Sequence, residues 1–280
     1  MSDPTERVVS LQPTGGTFDF KQAPPFALSY LKTYYMQPPT ADEVAVSKFL
    51  IREFAKRVPT GRFIELGCGP TLHHVFPFAP HVKEVHLADY LEDNLEQLRL
   101  WKAASPRAHD WSQYAAMTLR HEGLEDSPNA VAERQRLARE RIAEILHCDL
   151  KQDTPHDRRG QYDGVGCFYC TEEIGISLPE WRRVLANAAA YLRPGGTLYM
   201  ACLAEMDHYT VRDSSGTEFA YPCANLRPDD VSGALADLGF KSGATTIEIT
   251  KIEHPDCGLT AALVIAAQAG SSMQGRLPMQ

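Results

Sequence analysis

Basic residues are the scarce class in this 280-residue chain. Its 28 Lys and Arg stand against 36 Asp and Glu, for a formal net charge of -8. A general nucleic-acid binder needs clustered Lys and Arg to neutralise phosphates. No run of five basic residues occurs, so neither nucleic acid nor a membrane surface is an expected partner. No stretch approaches the roughly 18 uninterrupted apolar residues of a membrane span. Residues 1–7 contain no apolar segment of the kind that opens an export signal. Cysteine gives no disulfide rhythm: there are seven, an odd and scattered set. With no export signal, they read as reduced thiols in a cytoplasm. Cys167 and Cys170 form a CxxC, and His254 with Cys257 forms an HxxC. The first pair falls at the end of an expected strand, where residues three apart point to opposite faces. Zinc ligands must converge on one point, so no metal site is read.

What the chain does have is ordinary globular material. The 44% apolar content supports a full core, and the length suits one large α/β domain acting as a monomer. Three parts are expected: an arm or lid over 1–40, a main domain over 41–269, and a flexible tail over 270–280. The arm carries Gly15-Gly16, Pro24-Pro25 and Pro38-Pro39, which disfavour long regular elements. Aromatics lie between them, including Phe20, Phe26, Tyr30, Tyr34 and Tyr35, and such residues need a surface to cover. A helix follows over 42–56. Then strands and helices alternate. Strands are expected at 62–66, 84–89, 145–149, 164–168 and 197–203, with helices at 131–144, 179–192 and 228–238; no element is read over 104–130. A last β pair falls at 245–252 and 259–267. Alternation of this kind gives a mostly parallel, doubly wound sheet. The terminal pair adds an antiparallel last strand beside the fifth.

The chemistry begins where the first strand ends, at Glu65-Leu66-Gly67-Cys68-Gly69-Pro70-Thr71. Two glycines two apart let the backbone turn tightly and let a ligand approach it. Asp89 closes the next strand, twenty residues after Gly69. That spacing suits a carboxylate accepting from both hydroxyls of a ribose. A dinucleotide site wants a third small residue for close helix packing; here Leu72 stands in that place, and Pro70 stiffens the loop. The acid Glu65 ahead of the glycines suits a cationic ligand better than pyrophosphate. S-adenosyl-L-methionine fits this pattern, and NAD does not. Asp149 closes the third strand, where an acid can accept from an adenine amino group.

With Leu192-Arg193-Pro194-Gly195-Gly196 before the fifth strand, the chain resembles the class I methyltransferase family that acts on nicotinamide, phenylethanolamine, thioethers and indolethylamine. The resemblance runs from about residue 30 to 267. It is carried by Tyr30-Leu31-Lys32-Thr33-Tyr34-Tyr35, the Gly67 to Thr71 loop, Asp89-Tyr90-Leu91-Glu92-Asp93-Asn94, Asp110-Trp111-Ser112, Cys148-Asp149 and Cys170-Thr171-Glu172.

The resemblance implies a Rossmann-like fold with a seven-stranded, mostly parallel sheet and an N-terminal lid. It implies S-adenosyl-L-methionine as cofactor, and N-methylation of a small amine or N-heterocycle. Tyr30 and Tyr35 would hold the cofactor's carboxylate, Gly67, Gly69 and Thr71 its methionine part, Asp89 with Tyr90 and Asn94 the ribose, and Asp149 with Leu150 the adenine. Tyr30, Tyr169, Glu172, Cys202 and Glu205 would meet the acceptor, with Asp207 and Tyr209 in the same segment. Glu172 and, secondarily, Asp256 are the candidate catalytic acids. Two alternatives stay open on the residues alone: a transferase or cyclase that uses the aminocarboxypropyl arm and releases methylthioadenosine, and a non-catalytic module that only binds the cofactor.

Overall fold

The computed structural model describes residues 8–11, 17–22, 27–36, 38–56, 61–153, 156–213, 215–251 and 261–271. In chain order its elements are β1 (Val8–Ser10), α1 (Ala27–Tyr34), α2 (Ala41–Lys56), β2 (Arg62–Leu66), α3 (Val75–Phe78), β3 (Glu84–Asp89), α4 (Glu92–Lys102), α5 (Ser112–His121), α6 (Pro128–Arg141) and β4 (Ile142–His147). There follow β5 (Tyr162–Phe168), α7 (Thr171–Ile174), α8 (Leu178–Ala189), β6 (Leu192–Ala204), β7 (His208–Arg212), β8 (Glu218–Pro222), α9 (Pro228–Asp237), β9 (Phe240–Lys251) and β10 (Ala261–Ala269).

Seven strands form one sheet in the order β4-β3-β2-β5-β6-β10-β9. β2 runs parallel to β3 and β5, and β5 parallel to β6. The terminal pair breaks the pattern as its sequence suggests: β10 slots antiparallel between β6 and β9. Strands in the middle of such a sheet are buried on both faces, so they read as continuous apolar runs. β2 shows this: after exposed Arg62, its four remaining residues are buried. Consecutive side chains go to opposite faces. Phe63 therefore joins one core layer, stacked at 3.8 Å on Phe78. Ile64 joins the other, with Trp181, Val184 and Leu185 of α8.

The sequence expectation differs at two boundaries, where β4 begins at Ile142 inside the expected helix 131–144 and β6 at Leu192 ahead of the expected start at 197, and in two regions where no element is expected. Residues 104–130 hold α5, which starts at the Asp110-Trp111-Ser112 turn. There Asp110 Oδ1 accepts from the Ser112 N–H (2.9 Å) and hydroxyl (2.6 Å), while the Trp111 ring is buried. The stretch after β6, where no element is read from sequence, holds the hairpin β7–β8, joined by β1 into a second, three-stranded sheet. Its strands are five residues or shorter, too brief for periodicity to reveal. This small sheet anchors α1: the Tyr34 hydroxyl donates to the Thr210 carbonyl.

Candidate active site

The loop after β2 is shaped by its glycines. Gly67 has φ +63° and Gly69 φ +60°, in the left-handed region that side chains rarely adopt. At Gly67 a Cβ would also sit 1.9 Å from the Cys170 sulfur. The loop is tied to its neighbour strand by the Cys68 N–H, which donates to the Ala88 carbonyl at 3.1 Å.

Asp89, at the end of β3, holds this corner together. Its Oδ2 accepts from the Gly69 N–H (2.8 Å), and its Oδ1 from the Leu91 N–H and Asn94 Nδ2 (both 2.9 Å). Burial raises its pKa above the ordinary value, against the pull of these three donors. A carboxylate offers about four acceptor sites, so one remains. Beside it the buried Asn94 Oδ1 has no partner.

This corner opens on a cleft enclosing about 840 Å³, part of it open to solvent. Tyr30, Tyr35, Gly67, Gly69, Thr71, Asp89, Tyr90, Asn94, Asp149 and Leu150 all line it. At one end Asp149 Oδ1 accepts from the Lys151 N–H at 2.9 Å. The Leu150 carbonyl accepts from Asn187 Nδ2 at the same distance. Tyr90 lies under the Lys21 ammonium, 4.2 Å from its ring centre.

At the other end a second cavity of about 470 Å³ adjoins the first. Tyr30, Tyr35, Tyr169 and Glu173 line both. Tyr169, just past β5, has φ +49°. A bulky residue in that conformation stores backbone strain, a feature that clusters at functional sites. Glu173 is half-buried, and its Oε2 accepts from the Tyr209 hydroxyl at 2.9 Å. Burial first, then the charge of Glu172, pushes its pKa well above the ordinary carboxylate value.

Three of the residues expected to meet an acceptor are placed elsewhere, because of the local register. Glu172 is the second residue of the four-residue α7, beside Glu173, and successive helical side chains diverge by about 100°. Its side chain therefore turns into the core, fully buried. Glu172 Oε1 accepts from the Leu203 N–H at 2.8 Å, and Oε2 lies 3.3 Å from the Thr171 hydroxyl. Burial pushes its pKa up to about 7. Cys202 is fully buried in β6 and lines neither cavity. Glu205 pairs with Lys251 at the exposed surface, where the chain leaves β6. Asp207 is exposed beside His208, whereas Tyr209 alternates inward and lines the second cavity. Asp256 and Phe26 lie outside the described residues. The acceptor-side reading missed Asp42 and Glu43 on α2 as well as Glu173; the signal available was the run of three adjacent acids-or-threonine at 171–173, whose inward member only a backbone can identify.

Residues 21–259 match the NNMT/PNMT/TEMT family. The chain belongs to that family. Over 227 residues it is 29% identical to the phenylethanolamine N-methyltransferase of Bos taurus, covering 77% of each chain. Over 219 residues it is 28% identical to the indolethylamine N-methyltransferase of Oryctolagus cuniculus, covering 75% of this chain and 80% of that one. Its match to the Rattus norvegicus phenylethanolamine enzyme, also 29% identical, spans 62% of that protein's length and 61% of this chain. Among solved structures, the DhpI-SAM-HEP complex shares the fold at TM-score 0.55 and 12% identity, covering 91% of this chain and 99% of that one.

Membership in the NNMT/PNMT/TEMT family makes the chain an S-adenosyl-L-methionine-dependent methyltransferase. The cavity suits that cofactor. The open backbone at Gly69 admits a ligand to the loop, since a Cβ there would meet nothing nearer than 4.0 Å. Glu65, read from sequence as facing a cation, instead sits beneath the loop with its Oε1 2.9 Å from His74 Nδ1.

Proposed function

We propose that the chain methylates the nitrogen of a small amine held in the second cavity, with Glu173 taking the amine's proton. The observation that carries this reading is the shared wall: Tyr30, Tyr35, Tyr169 and Glu173 border both cavities. An acceptor on one side and a cofactor on the other would meet there.

The bound cofactor supplies an electrophilic methyl group. The chain's task is alignment, exclusion of water and proton management. An amine attacks only when neutral. Glu173 has one oxygen committed to Tyr209, and we assign the other to the amine N–H. A carboxylate with a raised pKa is the better base here. The faces of Tyr30 and Tyr169 suit a cation, since aromatic rings attract ammonium groups. Tyr30 and Tyr35 hold the methionine end of the cofactor in this reading, Asp89, Tyr90 and Asn94 the ribose, and Asp149 and Leu150 the adenine. Glu172 braces α7 against β6 rather than touching the amine. Asp256 stands as a second candidate acid.

Residues 1–40 serve as the lid over residues 41–269, with 270–280 as a tail. The enzyme works as a monomer on a small molecule, without nucleic acid, in the cytoplasm. The net charge of -8 and the unpaired state of the described cysteines support this; among the described residues no helix is long and apolar enough to cross a membrane.

The test is incubation with S-adenosyl-L-methionine and a panel of small amines, read by mass spectrometry. Methylated amine with an equivalent of S-adenosylhomocysteine is expected. Methylthioadenosine as coproduct would mean use of the aminocarboxypropyl arm, and absence of turnover on every amine would leave a binding module.

A further inference from the structure

The turn between the glycine loop and α3 places two histidines side by side, His73 and His74. Opposite them, Glu43 projects from α2. All three are buried, at 5% exposure each. One ligand-capable atom from each lies within 4.8 Å of the other two. Neither cofactor binding nor the proton transfer assigned to Glu173 employs the two imidazoles.

We propose that Glu43, His73 and His74 form a site for a divalent transition metal of the Zn²⁺ class, set in the wall between the two cavities. Two imidazoles and one carboxylate are a borderline donor set, the kind that Zn²⁺ and Co²⁺ take and that Mg²⁺ and Ca²⁺ avoid. His74 is already oriented for it. Its Nδ1 lies 2.9 Å from Glu65 Oε1, which leaves Nε2 buried and without a partner. A ligating histidine whose other nitrogen is held by a carboxylate is the usual outer arrangement of a metal site. On the opposite side His73 Nε2 lies 2.6 Å from Glu43 Oε2. Neither atom makes a well-directed hydrogen bond.

Tetrahedral bonds of about 2.1 Å put ligand atoms about 3.4 Å apart, so the set must close by about an ångström at its widest. His73 and Glu43 must part slightly to admit the ion between them. His74 lines the first cavity and Glu43 the second, so the ion would lie between the two. The ion would tie α2 to the loop that carries Gly67 and Gly69. It would also fix Tyr35, whose hydroxyl donates to Glu43 Oε1 at 3.1 Å.

The test uses the tag-free full-length chain, stripped with a chelator and titrated with Zn²⁺ alone by calorimetry. One equivalent should bind with micromolar affinity or better. His73→Ala and His74→Ala should each weaken it at least about 10-fold, and Glu65→Gln about 10-fold through the outer contact. His208→Ala, at the exposed surface, should leave it unchanged. Because the histidine variants sit in the core, Co²⁺ titration of the unmodified chain provides a second reading. It should give the visible bands of a tetrahedral ion without thiolate charge transfer. Absence of stoichiometric binding overturns the proposal. So does affinity unmoved by both histidine variants in folded protein, or a thiolate band placing the ion on cysteine.

Discussion

Asp89 at the adenosyl end of the cavity is gripped by three donors, from Gly69, Leu91 and Asn94. Glu173 at the other end accepts from the Tyr209 hydroxyl. The first carboxylate is fixed by two backbone N–H groups at the glycine loop and the strand end, and by the Asn94 side chain. The second depends on a side chain from a hairpin outside the main sheet. One end is thus built by strand-end turns of the main sheet, and the other by side chains gathered from α1, α2, α7 and β7.

The comparison breaks first at Glu173. Glu173→Gln should cut turnover on the acceptor amine by about 10²- to 10⁴-fold, the range for loss of a positioned base. Cofactor affinity by calorimetry should stay within about 2-fold. Glu172→Gln should cost less than about 10-fold in turnover, because an amide oxygen can still accept from the Leu203 N–H. A reversed order between these neighbours would return the acid–base role to Glu172.

At the gripped end, Asp89→Ala should weaken S-adenosyl-L-methionine by about 10- to 100-fold, since hydrogen bonds to charged groups contribute about 1.5–3 kcal/mol. Asn94→Ala removes a neutral acceptor and should cost about 3- to 10-fold. Both are read by calorimetry on folded protein. If Asn94→Ala matches wild type, the second hydroxyl is held by another group. NAD should not bind measurably in either case.

This contrast also explains what could be read from the sequence. The strands at 62–66 and 84–89 were legible to the residue because each ends on a chemical signal, Gly67 and Asp89. Every residue named for the cofactor lines one cavity, since each sits at a strand end or lid position fixed by a motif. The acceptor end had no such punctuation. Glu172 and Glu173 differ only in which way a four-residue helix faces, and sequence carries no register for so short an element. The hairpin β7–β8 escaped for the same reason. Glu43, His73 and His74 lie 30 and 31 positions apart on separate elements, so only the fold brings them together.

A smaller effect comes from beneath the glycine loop. Burial, with Glu43 and Asp89 adding to it and His73 opposing, pushes the Glu65 pKa from an ordinary 4.5 up to about 8. The folded chain then keeps a proton that the unfolded chain has released across that window. By linkage, stability must fall as pH rises from about 4.5 to 8 and level off above it. Glu172, raised to about 7, adds the same slope at its lower end. His74, whose pKa burial lowers well below 6.5, opposes below pH 6.5 because unfolding lets it charge. Glu173, raised well above the ordinary carboxylate value, adds the same slope, so Glu65→Gln is what separates the Glu65 part over the interval from pH 7 to 8. The apoprotein's melting midpoint should drop by roughly a few °C across it. Glu65→Gln should flatten that drop and leave a protein more stable than wild type above pH 8. An unchanged slope in the variant would mean that the carboxyl is ionised in the fold.

The weakest contact tested lies over the adenosyl end. Lys21 belongs to the N-terminal segment and stands over the Tyr90 ring at 4.2 Å, with Lys151 at 5.4 Å on the same ring. Tyr90 follows Asp89 directly, so the segment is latched to the most rigid corner of the site. Lys21→Ala removes one of two cations from the ring, and the remaining Lys151 limits the loss. The segment also keeps the Ala27 N–H donating to Asp93 Oδ2 at 3.1 Å. Cofactor release, followed by stopped flow, should therefore quicken only about 2- to 3-fold, with Lys21→Arg restoring the slower rate because a guanidinium stacks on the same ring. Glu173 is remote from this latch, so turnover at saturating cofactor should not fall. If release is unchanged, the 27–93 contact and the small sheet hold the segment without Lys21. If turnover falls with release unchanged, the latch acts on the acceptor end, and the division between a rigid cofactor corner and an adaptable acceptor pocket is not the one drawn by Asp89 and Glu173.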